Sequence, residues 1–253
     1  QRIRFAVAPM QAYALDVARH LGLNVSTIHH RPEDAGAEAI LDAFSRVARG
    51  TEEPVSDYTY IASEAIAEHA RERGFKVMLS GMGGDELFAG YPRHLLARHR
   101  NAARGARGVL SLAGRLLASR PAWAKKSERL VRFVREPDFA SAYTSLVGYF
   151  STDEVDALLG RRDSSSAFRE RLARLLEPAG RRSALKQAML LDRYGFLAHN
   201  LTVTDRSSMA HGVEVRVPLL TRDLAALGLA LADRDLIRGS RAKLPLKRVV
   251  EPR

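Results

Sequence analysis

Residues suited to chemistry concentrate in Lys76-Val77-Met78-Leu79-Ser80-Gly81-Met82-Gly83-Gly84-Asp85-Glu86-Leu87-Phe88-Ala89-Gly90-Tyr91. A short β-prone apolar run breaks into a glycine-rich turn and then a helix-like segment led by two acids, which is how open α/β sheets present a ligand site. Gly81, Gly83 and Gly84 let the backbone approach a ligand closely, with N–H groups that can face phosphate or adenine-ribose oxygens. Asp85 and Glu86 follow where a magnesium ion bridging phosphates would need carboxylates. No Gly-x-x-x-x-Gly-Lys-Ser/Thr occurs, and Glu86 stands where a dinucleotide fingerprint wants its last glycine, so neither common nucleotide motif accounts for the stretch.

The run Leu79 to Tyr91 resembles the Leu-Ser-Gly-x-Gly-x-Asp-Glu-Leu-Phe-x-Gly-Tyr segment of the asparagine synthetase family, in its ATP-dependent synthetase domain. A second stretch, Thr204-Asp205-Arg206-Ser207-Ser208-Met209-Ala210-His211-Gly212-Val213-Glu214-Val215-Arg216-Val217-Pro218-Leu219-Leu220, resembles another segment of that family. The two lie in the family's order, and weaker similarity runs through nearly the whole chain.

The resemblance implies a two-step amide synthesis. ATP adenylates a carboxylate, aspartate or a related acceptor, and releases pyrophosphate; ammonia derived from glutamine then attacks the acyl-adenylate and AMP leaves. Ser80 and Gly81 match positions that contact AMP, and Val7 matches a strand residue that lines the same pocket or simply packs in the core. Asp85 matches the magnesium ligand, and Glu86 either assists it or favours the positive end of the following helix. Lys243, in Gly239-Ser240-Arg241-Ala242-Lys243-Leu244-Pro245-Leu246-Lys247, matches the lysine that stabilises developing charge, a task for a flexible ammonium. ATP and magnesium are therefore the implied cofactors. Asp205, Arg206, Glu214 and Arg216 either position substrate or form an ion-pair network between helices, and Asp57 is a family position or a helix N-cap. Met82 departs from the pattern: asparagine formers carry Glu there and lactam formers Tyr, whereas a thioether can only pack.

Elements must position these residues. Ile3–Ala8 reads as a buried strand stopped by Pro9, Gln11–Leu21 as a helix stopped by Gly22, and Asn24–His30 as a second strand. Ile40, Leu41, Phe44, Val47 and Ala48 mark a helix face, and a helix from about Asp57 to Arg73 turns Tyr58, Ile61, Ala62, Ala65, Ile66 and His69 inward. The strand at 76–80 comes next. Strands alternating with helices predict an α/β fold with a parallel sheet; the resemblance makes it the ATP-pyrophosphatase, adenine nucleotide alpha hydrolase-like type. Beyond residue 92 strand-like runs all but vanish, so 1–92 reads as an α/β ATP-binding core and 93–253 as a mainly helical part of one partial synthetase domain.

Composition bounds the alternatives. With 46% hydrophobic residues the chain can build a real core, and with no cysteine it can form neither disulfides nor a thiolate metal site. No apolar run approaches the roughly 20 residues of a membrane span, so a cytoplasmic protein without a membrane partner is expected. The net charge is +11, and Arg93 to Arg135 holds twelve Lys or Arg against Glu128 alone. Arginines interleaved with leucines read as solvated helix faces; nucleic acid is the rival reading but lacks aromatic interleaving. The histidines show no metal-ligand spacing, and Ser207 and Ser208 no base arrangement. The family's pyrophosphate loop and glutaminase domain are expected to lie outside these residues, so the chain reads as a piece of a longer ligase giving little turnover alone. A lactam- or macrolactam-forming relative is the nearest enzymatic alternative, and the oligomeric state stays open.

Overall fold

Gly74 adopts φ +83°, and its N–H donates to Arg71 O at 2.9 Å, ending the helix Thr59–Glu72 ahead of the strand that leads to the glycine turn. The computed structural model describes residues 8–25, 37–51, 59–106, 108, 121–177, 180 and 182–251. The chain divides into two compact units, one from Gln1–Ser80 with His199–Val217, the other from Gly81–Ala198 with Pro218–Arg253. The sequence changes character near residue 92, but the first unit ends at Ser80 and recruits a segment from far downstream.

In the first unit, helices Ala8–His20, Ala37–Gly50 and Thr59–Glu72 precede strand β1, Val77–Leu79. Strand β2, Glu214–Arg216, pairs with β1 in parallel, with Val77 opposite Glu214, Met78 opposite Val215 and Leu79 opposite Arg216. Ser80 N–H extends the ladder by donating to Arg216 O at 2.8 Å. The expected parallel sheet thus has two strands among the described residues. The expected strands at 3–8 and 24–30 fall mostly outside the described residues; Ala8 itself opens a helix, and Asn24 and Val25 are not in a strand.

Strand β2 is a short exception to the scarcity of strand-like runs beyond residue 92. Its signal is the alternation Val213-Glu214-Val215-Arg216-Val217, which has the two-residue period of a strand but only five positions. Buried Val213 packs with Ala67, Ala70 and half-buried Met78. In the third helix Ile61 is buried and Ala62, Ala65 and His69 are half-buried as expected, but Ile66 is exposed and Tyr60, Glu64, Ala67 and Ala70 complete the buried face; Tyr58 lies outside the described residues. Buried Glu64 makes that phase tolerable, because Arg46 Nε donates to it at 3.3 Å and His211 Nε2 lies 3.9 Å away. In the second helix Val47 is buried as expected, but Leu41 and Phe44 are exposed and Ala43 is buried beside Val47.

The second unit is helical. Helix Ala184–Asp192 serves two cores: Ala188 and Leu191 pack with Phe133, Phe139, Tyr143 and Leu172, while Leu185 and Met189 pack with Leu87, Phe88, Leu236 and Ile237. Residues three or four apart share a helix face, so Ala188 with Leu191 lines one core and Leu185 with Met189 the other. Ser183 starts this helix by accepting from Lys186 N–H at 3.3 Å, and Asp138 starts Phe139–Val147 by accepting from Ser141 N–H at 2.8 Å. A π-helical turn, Arg193–Leu197, follows directly and exposes Tyr194 and Phe196.

The basic stretch is partly structural. Buried Arg100 donates to the carbonyls of Glu136 at 2.6 Å and Asp138 at 3.3 Å, next to the end of helix Pro121–Arg135. Arg104 and Arg129 also donate to carbonyls, and Arg132 pairs with Glu128 at 2.7 Å. No described helix is long and apolar enough to cross a membrane.

Candidate active site

The three glycines of the turn differ in what surrounds them. Gly83 has φ +89°, and a Cβ there would overlap the side chain of Leu220; a Cβ on Gly84 would lie 3.1 Å from Leu219 Cδ1. These two glycines let the turn press against the Leu219-Leu220 end of the second motif, so their small size has a packing reason whatever ligand they face. Gly81 is exposed and meets open space. Helix Gly84–Phe88 then anchors itself by Leu87 and Phe88 and ends at Ala89, whose φ is +59°.

Asp85 and Lys243, far apart in sequence, are brought together: Lys243 Nζ lies 2.9 Å from Asp85 Oδ1, and both side chains are about one-third exposed (36% and 34%). Lys243 has φ +56° and starts helix Leu244–Val250, with Pro245 in its first turn. A Cβ on Gly90 would overlap both Asp85 Oδ1 and the Lys243 stem. Glycine at 90 is therefore a condition of the ion pair.

Glu86 points elsewhere. It is 3% exposed and accepts from the Tyr91 hydroxyl at 2.6 Å. Burial, reinforced by this bond, pushes the Tyr91 phenol above its ordinary range, so it remains a donor. The Tyr91 ring also carries the Arg93 guanidinium 3.8 Å from its centroid and meets Phe196 edge-on at 5.5 Å.

Behind Tyr91 lies a buried cluster centred on Asp192. Its carboxylate accepts from Arg93 Nε at 2.8 and 2.9 Å and from the Tyr143 hydroxyl at 2.5 Å, and lies 2.6 Å from His94 Nε2. Tyr91 N–H donates to His94 Nδ1 at 3.4 Å, which leaves Nε2 to carry the proton toward Asp192. Burial alone would raise the Asp192 carboxyl, yet the bonds from His94 and Arg93 outweigh it and hold the group below the ordinary range. Sequence reasoning missed this cluster; its one signal is an aspartate closing the apolar run Ala188-Met189-Leu190-Leu191.

The remaining candidates are dispersed. Ser80 continues the β ladder in the first unit, and Val7 and Asp57 lie outside the described residues. Ser207 and Ser208 are buried with hydroxyls donating back to Thr204 O and Asp205 O, an arrangement without a base. Asp205 and Arg206 are exposed. Glu214 and Arg216 pair with each other at 2.9 Å along one exposed face of β2, so this pair runs along a strand and not between helices. Each holds the other's charged form: the arginine lowers the glutamate, and the glutamate raises the arginine.

Beyond Lys243, its helix adds Lys247 and Arg248, which with Arg238 and Arg241 line a basic cavity of about 410 Å³. No group of three or more His, Cys, Asp or Glu among the described residues could hold a metal ion. Asp85, a single half-exposed carboxylate, suits magnesium only as an ion carried by phosphates and several waters.

The family model described as asparagine synthase matches residues 6–253. Comparison with curated proteins and with solved structures gave no match in either case.

Proposed function

The chain belongs to the asparagine synthase family, and from that premise we propose that it carries the ATP-binding and adenylating half of an amide ligase. The acceptor carboxylate, aspartate or a close analogue, attacks the α-phosphorus of ATP, and pyrophosphate departs. Ammonia released from glutamine then attacks the acyl carbon of the acyl-adenylate, and AMP leaves with the bonding pair. A sheet of the ATP-pyrophosphatase type would place Ser80 and Gly81 at its exit, facing AMP.

The observation that carries this reading is the contact of Asp85 with Lys243 across Gly90. The carboxylate implied for the metal and the ammonium implied for the phosphates come from two motifs and converge within one hydrogen bond. Magnesium, when bound, would offset charge on the phosphates, and Asp85 is the residue that would hold it. Lys243 supplies a mobile positive charge for the departing pyrophosphate. Glu86, buried on Tyr91, holds the turn in place and so positions Asp85.

AMP and pyrophosphate release from ATP tests the reading, measured for the full-length protein and for residues 1–253 in parallel, with aspartate and ammonia or glutamine. Aspartate-dependent AMP from the full-length protein is the expected result. AMP formed only with a carboxylate that also bears an amine would move the assignment to the lactam formers. No AMP with any carboxylate would overturn it.

A further inference from the structure

Arg238 and Arg241 face each other across a two-residue turn. Arg238 N–H donates to Arg241 O at 2.9 Å and Arg241 N–H to Arg238 O at 3.0 Å, with Gly239 at φ +59° making the reversal. Residues paired in this way project their side chains to one face, where like charges opposite one another are destabilising. Helix Leu244–Val250 brings two more cations to the same place. Leu244, Lys247, Arg248 and Glu251 recur at the spacing of a single helix face.

Together these residues line the cavity of about 410 Å³. Four basic side chains meet one acidic one, a net charge of +3, and the acid is already taken: Arg241 Nη2 lies 2.5 Å from Glu251 Oε1. Arg238, Lys247 and Arg248 are exposed and have no acid partner among the described residues. The polarity of the helix accounts for Lys247 and Arg248 in its last turn. It does not account for Arg238, which comes from a different element and adds charge to charge.

The lining selects the ligand. Leu244 is its one apolar residue and no aromatic ring is present, so a base has no surface on which to stack. A strand of nucleic acid needs a basic groove that tracks its backbone, whereas this concavity has the size of a small molecule. Guanidinium forks grip phosphate oxygens in pairs. Two linked phosphate groups carry about three to four negative charges at neutral pH, enough to match the cavity, whereas a single carboxylate leaves two cations unmatched.

We propose that this cavity is a binding site for a small oligophosphate anion of the pyrophosphate class, separate from the Asp85–Lys243 contact. Lys243 does not line it, and its ammonium is held on Asp85. The anion is gripped by Arg238 and Arg241 from the turn and by Lys247 and Arg248 from the helix. The site stands without the ATP reading above, and its failure would leave that reading untouched.

Calorimetric titration of pyrophosphate into the full-length protein, with EDTA present, tests the site. Pyrophosphate should bind at least about tenfold more tightly than inorganic phosphate. Arg238→Gln and Lys247→Gln should each weaken it about fivefold to tenfold, and the double variant about fiftyfold. Arg171→Gln, which removes an exposed charge outside the cavity, should leave it unchanged. Because Arg238 and Lys247 are exposed and unpaired, the variants should melt where the parent does, and pyrophosphate should raise the melting temperature of the parent but not of the double variant. Pyrophosphate bound no more tightly than phosphate, or equally by the parent and the double variant, overturns the site. So does binding lost in Lys243→Met and kept in the cavity variants, which would put the anion at the Asp85 contact. A single-stranded oligonucleotide bound more tightly than pyrophosphate through Arg238 and Lys247 would assign these cations to nucleic acid and overturn it as well.

Discussion

Asp192 Oδ2 lies 2.6 Å from His94 Nε2, and neither side chain reaches solvent. The pair links helix Ala184–Asp192, which serves both cores of the second unit, to the segment that follows the glycine turn. Removing one member of a buried charged cluster leaves the others unpaired. Asp192→Asn should therefore cost about 3–5 kcal/mol of unfolding free energy, read as a lower denaturant midpoint with an unchanged slope.

The same carboxylate sets an acid limit. Its folded-state acidity is strengthened by His94 and Arg93 against the effect of burial, so its contribution is complete above the unfolded value of about 3.9. It disappears as pH falls from there through the lower folded value. Denaturation followed between pH 5 and 2 should show a shallower acid loss in Asp192→Asn than in the parent.

Lys186 gives the opposite limb. Its Nζ donates to Gly228 O at 2.6 Å from a buried position, and desolvation lowers its pKa to about 8, with Asp233 opposing weakly. An unfolded lysine titrates near 10.4, so between these values the unfolded chain binds more protons than the folded one. Stability from this group should rise as pH climbs from about 8 to about 10.4. Lys186→Met should flatten that rise in a series of denaturant titrations.

Gly81 and Gly83 separate ligand approach from packing. Gly83→Ala combines a left-handed backbone with overlap on Leu220 and should destabilise by about 2–4 kcal/mol. Gly81 has open space and no positive φ, so Gly81→Ala should change stability by less than about 0.5 kcal/mol. If Gly81 faces AMP, that variant should nonetheless weaken ATP binding several-fold by calorimetry.

Met82 bears on the nucleophile. The half-buried thioether can neither donate nor accept a proton at neutral pH. In the full-length protein Met82→Glu should shift the preference among ammonia and amine nucleophiles or among acceptors, seen as altered ratios of kcat/KM. Identical ratios would make position 82 a packing residue.

The sequence alone determined the local features: the strand into the glycine turn, the helices stopped at Gly22 and Gly74, and the two family motifs at Leu79–Tyr91 and Thr204–Leu220. These depend on backbone preferences and on residue order, which neighbours along the chain reveal. Tertiary structure decided what depends on distant residues meeting. It set the partner of β1, because a strand three residues long has too little periodicity to announce itself. It set which face of helix Thr59–Glu72 is buried, because Arg46 and His211 make burial of Glu64 tolerable. It set the roles of two adjacent acids: Asp85 meets Lys243 while Glu86 turns inward to Tyr91, a difference that one residue of helical rotation produces and no spacing rule records.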